Sequence, residues 1–148
     1  MQDQMFEEAR GSLLLTTDRR RINVDAVLGL LRAEHWGGQL TRPVLDRSIE
    51  NSICVGVYDT ARDDRQLGFA RVVTDLATYA YLTDVVVAPE ARGQGIASWM
   101  IQAILTHPDL QHLRRVTLLT RDAHALYEKF GFSTDMPIST YMELRPKH

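Results

Sequence analysis

The chain is organised around the segment Asp84-Val85-Val86-Val87-Ala88-Pro89-Glu90-Ala91-Arg92-Gly93-Gln94-Gly95-Ile96-Ala97-Ser98. Its three successive valines predict a buried strand, because β-branched side chains pack well on a pleated sheet. The strand stops at Pro89, which has no N–H to donate to a ladder. Gly93 and Gly95 follow in a loop, and a long apolar helix comes after them. The segment therefore predicts a strand, a glycine loop and a helix in immediate succession.

The glycine loop has the features of a phosphate site. Two glycines at a strand-to-helix junction let the backbone approach a ligand and turn free N–H groups outward. These groups and the positive end of the helix dipole attract an anion. The only charged residue from Ala91 to Ala97 is the cation Arg92. The loop predicts a cradle for a diphosphate, although the same glycines also suit a tight turn that serves only packing.

Two common nucleotide loops do not fit this segment. It lacks Gly-x-x-x-x-Gly-Lys-Ser/Thr, and Ser98 occupies the place of the third glycine of a dinucleotide fingerprint. The run from Arg92 to Ala97 instead resembles the Arg/Gln-x-x-Gly-x-Gly/Ala signature of the GNAT superfamily of acetyltransferases. The run from Ala123 to Phe132 is similar to that family's Ala-x-x-x-Tyr-x-x-x-Gly-Phe segment. The resemblance covers residues 53–132 and implies an enzyme that uses acetyl-coenzyme A.

Length and composition favour one compact domain. The 148 residues are 45% hydrophobic and 24% charged, which predicts a single compact domain over residues 1–148. The net charge of −2 offers no broad basic surface for nucleic acid. A single cysteine, Cys54, excludes an intrachain disulfide and fits a reducing compartment. No apolar run approaches ~20 residues, so we expect a cytoplasmic protein that does not enter a membrane.

Periodicity predicts a mixed α/β fold, and the resemblance narrows it to the GNAT order β-α-α-β-β-β-α-β-α-β-β. A helix follows the cap Asn23, and a second helix includes Pro43 in its first turn. The predicted strands span residues 13–17, 53–58, 67–74, 79–87, 116–120, 132–135 and 140–144. A third predicted helix begins after Gly95 and ends before Pro108, and a fourth covers residues 123–130.

The resemblance implies where acetyl-coenzyme A binds. The strands 81–87 and 116–120 would be parallel neighbours that splay apart and admit the pantetheine arm between them. The positions implied to contact the cofactor are Val85, Val86, Val87, Arg92, Gly93, Gln94, Gly95, Ile96, Ala97, Thr120 and Tyr127. Thr120 departs from the asparagine that the family often has there. The resemblance implies no metal.

Tyr127 has two interpretations. Helical spacing alone places it on the apolar face of its helix, as a core residue. The family position instead implies a phenol near the sulfur, able to protonate the departing thiolate. Its ordinary pKa of about 10 exceeds the ~8.5 of a thiol, so it holds its proton at neutral pH.

We expect the general base to be either Asp84 or a water held by Tyr81. In a regular strand Tyr81, Thr83 and Val85 share one face, and Asp84 lies on the other. A β-bulge, common in this strand of the family, would change that parity. Asp84 could equally anchor neighbouring backbone.

The acceptor pocket is predicted between the two early helices and the central strands. Its candidate residues are Trp36, Arg71, Tyr79 and Tyr81. Arg71 could pair with a substrate carboxylate, or simply face solvent. A small primary amine or amino-acid-like acceptor is expected. A non-catalytic acyl-coenzyme A-binding or regulatory module is the alternative function, and the oligomeric state stays open, a homodimer included.

Overall fold

The computed structural model describes residues 5–146. One mixed sheet carries helices on both faces. The strands are β1 (Glu7–Arg10), β2 (Leu13–Thr16), β3 (Ile53–Asp59), β4 (Arg65–Thr74), β5 (Tyr79–Val87) and β6 (Arg115–Leu118). The α-helices are α1 (Val24–Arg32), α2 (Arg42–Glu50), α3 (Ile96–Leu105) and α4 (His124–Glu128). The predicted fold class is confirmed, and the predicted order of elements is confirmed from β2 to α4.

The six strands lie in the order in which they occur in the chain. Neighbours are antiparallel from β1 to β5, and only β5 and β6 run parallel. The central strand β3 is buried on both faces, which explains its unbroken apolar run. One face packs on α3 around Met100 and Ile101, and the other packs on α1 and α2 around Leu31 and Leu45.

The parallel pair opens along its length. Its register runs only from Tyr79 opposite Arg115 to Leu82 opposite Leu118. Beyond that point, residues 83–87 of β5 continue without a ladder to β6. Their backbone groups on that side are therefore available to an extended ligand. We call this opening the β5–β6 gap.

A β-bulge lies in β5 next to the gap. Phe69 pairs with Val86, and Arg71 pairs with Thr83, so Asp84 and Val85 together oppose one residue of β4. Asp84 has a φ of 56°, a left-handed conformation that aspartate tolerates better than most residues. The bulge shifts side-chain parity.

The packing of the apolar residues of β5 shows how the bulge changes which face each side chain occupies. Ala80 and Leu82 pack in the core on the α3 face, whereas Val86 packs in the core on the face covered by α1 and α2. The Asp84 side chain therefore lies on the same face of the sheet as Tyr81, whereas in a regular strand it would lie on the opposite face. We call this face, which α1 and α2 cover, the α1/α2 face.

The two last predicted strands are wrong. Residues 132–135 and 140–144 form no strand, and a 3-10 turn at Ile138–Thr140 lies between them. The Ser133 hydroxyl accepts from the Asp135 N–H at 3.0 Å, a local bond that competes with a ladder. In the last segment Met142 and Leu144 are 93% and 87% exposed, so its alternating apolar pattern buries nothing.

The N-terminal hairpin is larger than predicted. The predicted strand 13–17 is present as β2, but β1 was missed because all four of its residues are exposed. The Trp99 indole N–H of α3 donates to the Glu8 carboxylate, and the Arg10 guanidinium lies 4.4 Å from the centre of the same indole. These contacts hold β1 against the helix that follows the glycine loop.

Candidate functional site

The glycine loop has the backbone geometry that an anion cradle needs. Gly93 and Gly95 have φ values of 79° and 77°, which favour glycine. A Cβ atom added to either would meet nothing within 4 Å, so neither glycine is required by packing. The positive φ values suit a tight turn as well as an anion cradle, so they do not decide between these two interpretations. We call residues 92–97 the cradle.

No side chain within residues 5–146 caps the N-terminus of α3. Gly95 occupies the N-cap position without a side chain to accept, and the first turn contains no acidic residue. The first N–H groups of any α-helix lack partners within the helix. The dipole adds a partial positive charge at the same place. An external anion would satisfy both.

A pocket connects the cradle with α4. It has a volume of about 250 Å³. Its lining residues are Val87, Ala91, Arg92, Gly93, Gly95, Ile96, Ala97, Ser98 and Leu126. The pocket reaches α4 at Leu126, and Tyr127 is the next residue of that helix but is not part of the lining.

Arg92 lies at the rim of this pocket. Its Nε donates to the Val87 carbonyl at 3.3 Å, and its Nη2 lies 3.7 Å from a Glu34 carboxylate oxygen. The side chain is exposed, so it is free to exchange these weak contacts for a phosphate.

Tyr127 is held firmly by the end of α4. The helix closes with N–H bonds from Gly131 to the Glu128 carbonyl and from Phe132 to the Tyr127 carbonyl, a Schellman motif with Gly131 at a φ of 94°. The Phe132 ring then meets the Tyr127 ring edge-on, with centroids 5.9 Å apart. The orientation of the phenol is therefore fixed by packing.

The Tyr127 hydroxyl keeps its proton and its hydrogen-bonding capacity. The residue is only 9% exposed, and burial raises its pKa above the ordinary value of 10.0. Within residues 5–146 no hydrogen bond engages the hydroxyl. Such a group can act as a proton donor to a guest in the site.

Thr120 serves the turn before α4. Its hydroxyl oxygen accepts from the Ala123 N–H at 3.0 Å. The hydroxyl proton is not used in that bond, so Thr120 could still donate to a ligand.

The bulge brings Asp84 and Arg71 together. The Arg71 Nε donates to the Asp84 Oδ2 at 2.8 Å, and the Arg71 Nη1 donates to the Ser52 hydroxyl at 3.1 Å. The Arg71 and Asp84 side chains are only 17% and 13% exposed. Sequence reasoning named both residues but missed their pairing and the role of Ser52. No local signal reveals the pairing, because it depends on the register between β4 and β5.

The aromatic candidates differ in their placement. Tyr79 and Tyr81 lie on β5, on the same face as Asp84, and the Tyr79 hydroxyl bonds with the Thr117 hydroxyl of β6. Trp36 belongs to the loop after α1 and is 49% exposed. The sheet thus places the two tyrosines on one face with Asp84, whereas Trp36 lies outside the sheet, in a loop.

No helix within residues 5–146 is long and apolar enough to span a bilayer. In the same range, no group of three histidine, cysteine or acidic side chains is arranged to hold a metal ion.

Comparison with known proteins points to one family. Residues 50–134 match the acetyltransferase (GNAT) domain. A "putative acetyltransferase" of Gibberella zeae is 35% identical over 140 residues, which cover 81% of this chain and 78% of that protein.

Two crystal structures are also similar. A "putative acetyltransferase" of the GNAT family from Xanthomonas campestris has a TM-score of 0.85 and 37% identity, covering 90% of this chain and 93% of that one. A "probable acetyltransferase" from Staphylococcus aureus has a TM-score of 0.73 and 25% identity, covering 90% and 99%.

Proposed function

The chain belongs to the GNAT family of acetyltransferases, and from that premise we propose that it transfers the acetyl group of acetyl-coenzyme A to a primary amine. The proposed acceptor is a small molecule or an amino-acid-like compound that attacks directly in a ternary complex. We propose further that residues 1–148 form a single acetyltransferase domain that acts in the cytoplasm.

One observation supports the proposal: the pocket at the uncapped cradle is also lined by Val87, the last residue of the β5–β6 gap, and by Leu126 of α4. We infer that these three parts belong to one cofactor site. A diphosphate on the cradle and an extended arm along β5 would direct the thioester toward the phenol. We assign the cradle, residues 85–87, Thr120 and Tyr127 to the cofactor.

The chain supplies the groups that the transfer requires. The acceptor arrives as an ammonium and loses one proton to Asp84, or to a water held by Tyr81. The nitrogen lone pair forms the new C–N bond, and the C–S bond breaks. Tyr127 gives its proton to the departing sulfur. The nitrogen must lose a second proton once the C–N bond has formed, and this proton returns Tyr127 to its neutral form. Overall, coenzyme A leaves as the thiol and one proton reaches solvent.

Burial of Tyr127 suits the role of acid. Because desolvation raises its pKa above 10.0, the phenol is protonated at neutral pH and can be restored in every turnover. An N–H of residues 85–87 would polarise the thioester carbonyl as a modest oxyanion contact.

The test is a thiol-release screen of amines and amino acids with acetyl-coenzyme A, beside calorimetric titration with coenzyme A. We expect tight binding and release with at least one acceptor. Binding without release for any acceptor would support the non-catalytic acyl-coenzyme A-binding module instead. No binding at all would remove the cradle assignment as well.

A further inference from the structure

The ion pair between Arg71 and Asp84 is costly for a purely structural element. Moving two charges out of water is expensive, and such a pair often stabilises a fold no better than apolar residues would. Asp84 also lies in a β-bulge, with a left-handed backbone at a φ of 56°. β-Bulges are over-represented next to active sites.

The pair lies where the α1/α2 face becomes open. Phe69 and Val86, on one side of it, are 0% and 3% exposed beneath the helices. Val73 and Tyr79, on the other side, are 43% and 41% exposed. Asp84 itself belongs to the part of β5 that borders the gap. The two charges therefore lie at the boundary between the core and the region where an acceptor must approach the thioester.

Both partners retain unused hydrogen-bonding capacity. A guanidinium has five N–H donors, of which Asp84 and Ser52 take two, leaving three. Asp84 uses Oδ2, and its Oδ1 has no hydrogen-bond partner within residues 5–146. One positive and one negative group thus stand side by side, each able to accept a further partner.

We propose that this pair is the acceptor-recognition element and that it selects a free amino acid. The substrate carboxylate binds the remaining N–H groups of Arg71, and its ammonium pairs with Asp84. A zwitterion presents these two charges close together, so it matches the pair without leaving either charge buried and unpaired. This inference rests on the proposed function and narrows its acceptor class. It also gives Asp84 the ammonium from which it removes a proton.

A competing acceptor of another charge type fits the site less well. A diamine or polyamine would place a second cation near Arg71, and like charges in a desolvated site repel. An amine without a carboxylate would leave the Arg71 donors unmatched. The pair therefore discriminates by charge and not by size.

The test compares thiol release from matched acceptors, each a free L-amino acid and its carboxamide, with acetyl-coenzyme A. For the best pair we expect kcat/KM to be at least about tenfold higher for the acid, the factor that 1.4 kcal/mol of binding supplies. Equal rates for acid and amide, or release with simple amines alone, would overturn the inference while leaving the proposed function intact. No thiol release with any acceptor would contradict both this inference and the proposed acetyl transfer.

Variants of Arg71 separate recognition from structural support. Arg71→Gln should bring the acid-to-amide ratio close to one, and Arg71→Lys, which keeps the charge, should preserve a preference for the acid. A merely structural pair would lower both rates alike and leave the ratio unchanged in Arg71→Gln, which would contradict the inference. Thermal melts establish folding. Should Arg71→Gln not fold, the ratios of the wild type and Arg71→Lys decide the question.

Discussion

At the scale of single residues, Tyr127 combines a fixed ring with an available hydroxyl. The Schellman motif and the Phe132 ring set its orientation, and burial keeps it protonated. The two sequence interpretations, core residue and acid, therefore describe different atoms of one side chain. Its ring belongs to the core, and we assign its oxygen to the reaction.

Tyr127→Phe removes only the hydroxyl, so it tests that assignment. We expect kcat to fall by about 10²-fold or more, the usual scale for a general acid. The affinity for coenzyme A and the melting temperature should change little, because the ring and its packing remain. Steady-state kinetics with an identified acceptor provide the measurement. A variant with nearly wild-type kcat would return Tyr127 to a purely structural role.

Tyr58 is a second buried phenol, with the opposite character. Among residues 5–146 its buried hydroxyl has no hydrogen-bond partner, and desolvation raises its pKa far above 10.0. Because a buried unsatisfied group costs about 1–3 kcal/mol, Tyr58→Phe should raise the free energy of unfolding by about 1 kcal/mol. Urea denaturation at neutral pH checks this, and a clear loss of stability would show that the hydroxyl is satisfied.

The same phenol makes a prediction about pH. In the unfolded chain Tyr58 ionises near its ordinary value of 10.0, whereas in the folded protein it stays neutral to higher pH. Because the unfolded chain releases this proton at a lower pH than the folded protein does, the free energy of unfolding is unaffected by Tyr58 ionisation below about pH 10 and falls as the pH rises further. Tyr58→Phe should therefore lose less stability than the wild type between pH 9 and pH 11. Identical losses in the two proteins would contradict the assignment.

At the scale of elements, the cradle can be recognised from its own short stretch of sequence. Two glycines with positive φ and an acid-free first turn lie within one short segment. Nothing distant is needed to recognise them. The β5 bulge is different, because it arises from the pairing of Phe69 and Arg71 with β5. The sequence allowed for a bulge but could not place Asp84 beside Arg71.

Gly95→Val tests the cradle, and Gly11→Val is its matched control. Both glycines have positive φ, 77° and 58°, and at both an added Cβ meets open space. Both substitutions should therefore cost a similar strain, roughly 1–2 kcal/mol. Only Gly95→Val places a side chain where the diphosphate would lie.

We expect the coenzyme A affinity of Gly95→Val to fall at least tenfold, about 1.4 kcal/mol. The affinity of Gly11→Val, in the turn between β1 and β2, should stay near that of the wild type. Calorimetric titration of both folded variants provides the comparison. Equal affinities in the two variants would refute the phosphate assignment.

At the scale of the whole molecule, the parts of the fold that sequence predicted are those with strong local periodicity. The central strands β3, β4 and β5 and the helix α3 carry such patterns and form nearly as expected. The hairpin strand β1 has no buried residue to reveal it, and Leu144 alternates with polar neighbours without finding a partner. Whether such a segment forms a strand depends on its hydrogen bonding to a neighbouring strand, and that pairing is set by the complete fold.

The most direct measurement of the central claim is hydrogen exchange with and without acetyl-coenzyme A. If the cradle and the β5–β6 gap are one cofactor site, amides at residues 83–87 and 92–98 should both exchange at least about tenfold more slowly with cofactor. The hairpin turn at Gly11, on the far edge of the sheet, serves as the internal reference and should change little. Protection of the cradle without protection of β5, or protection at neither, would contradict the account.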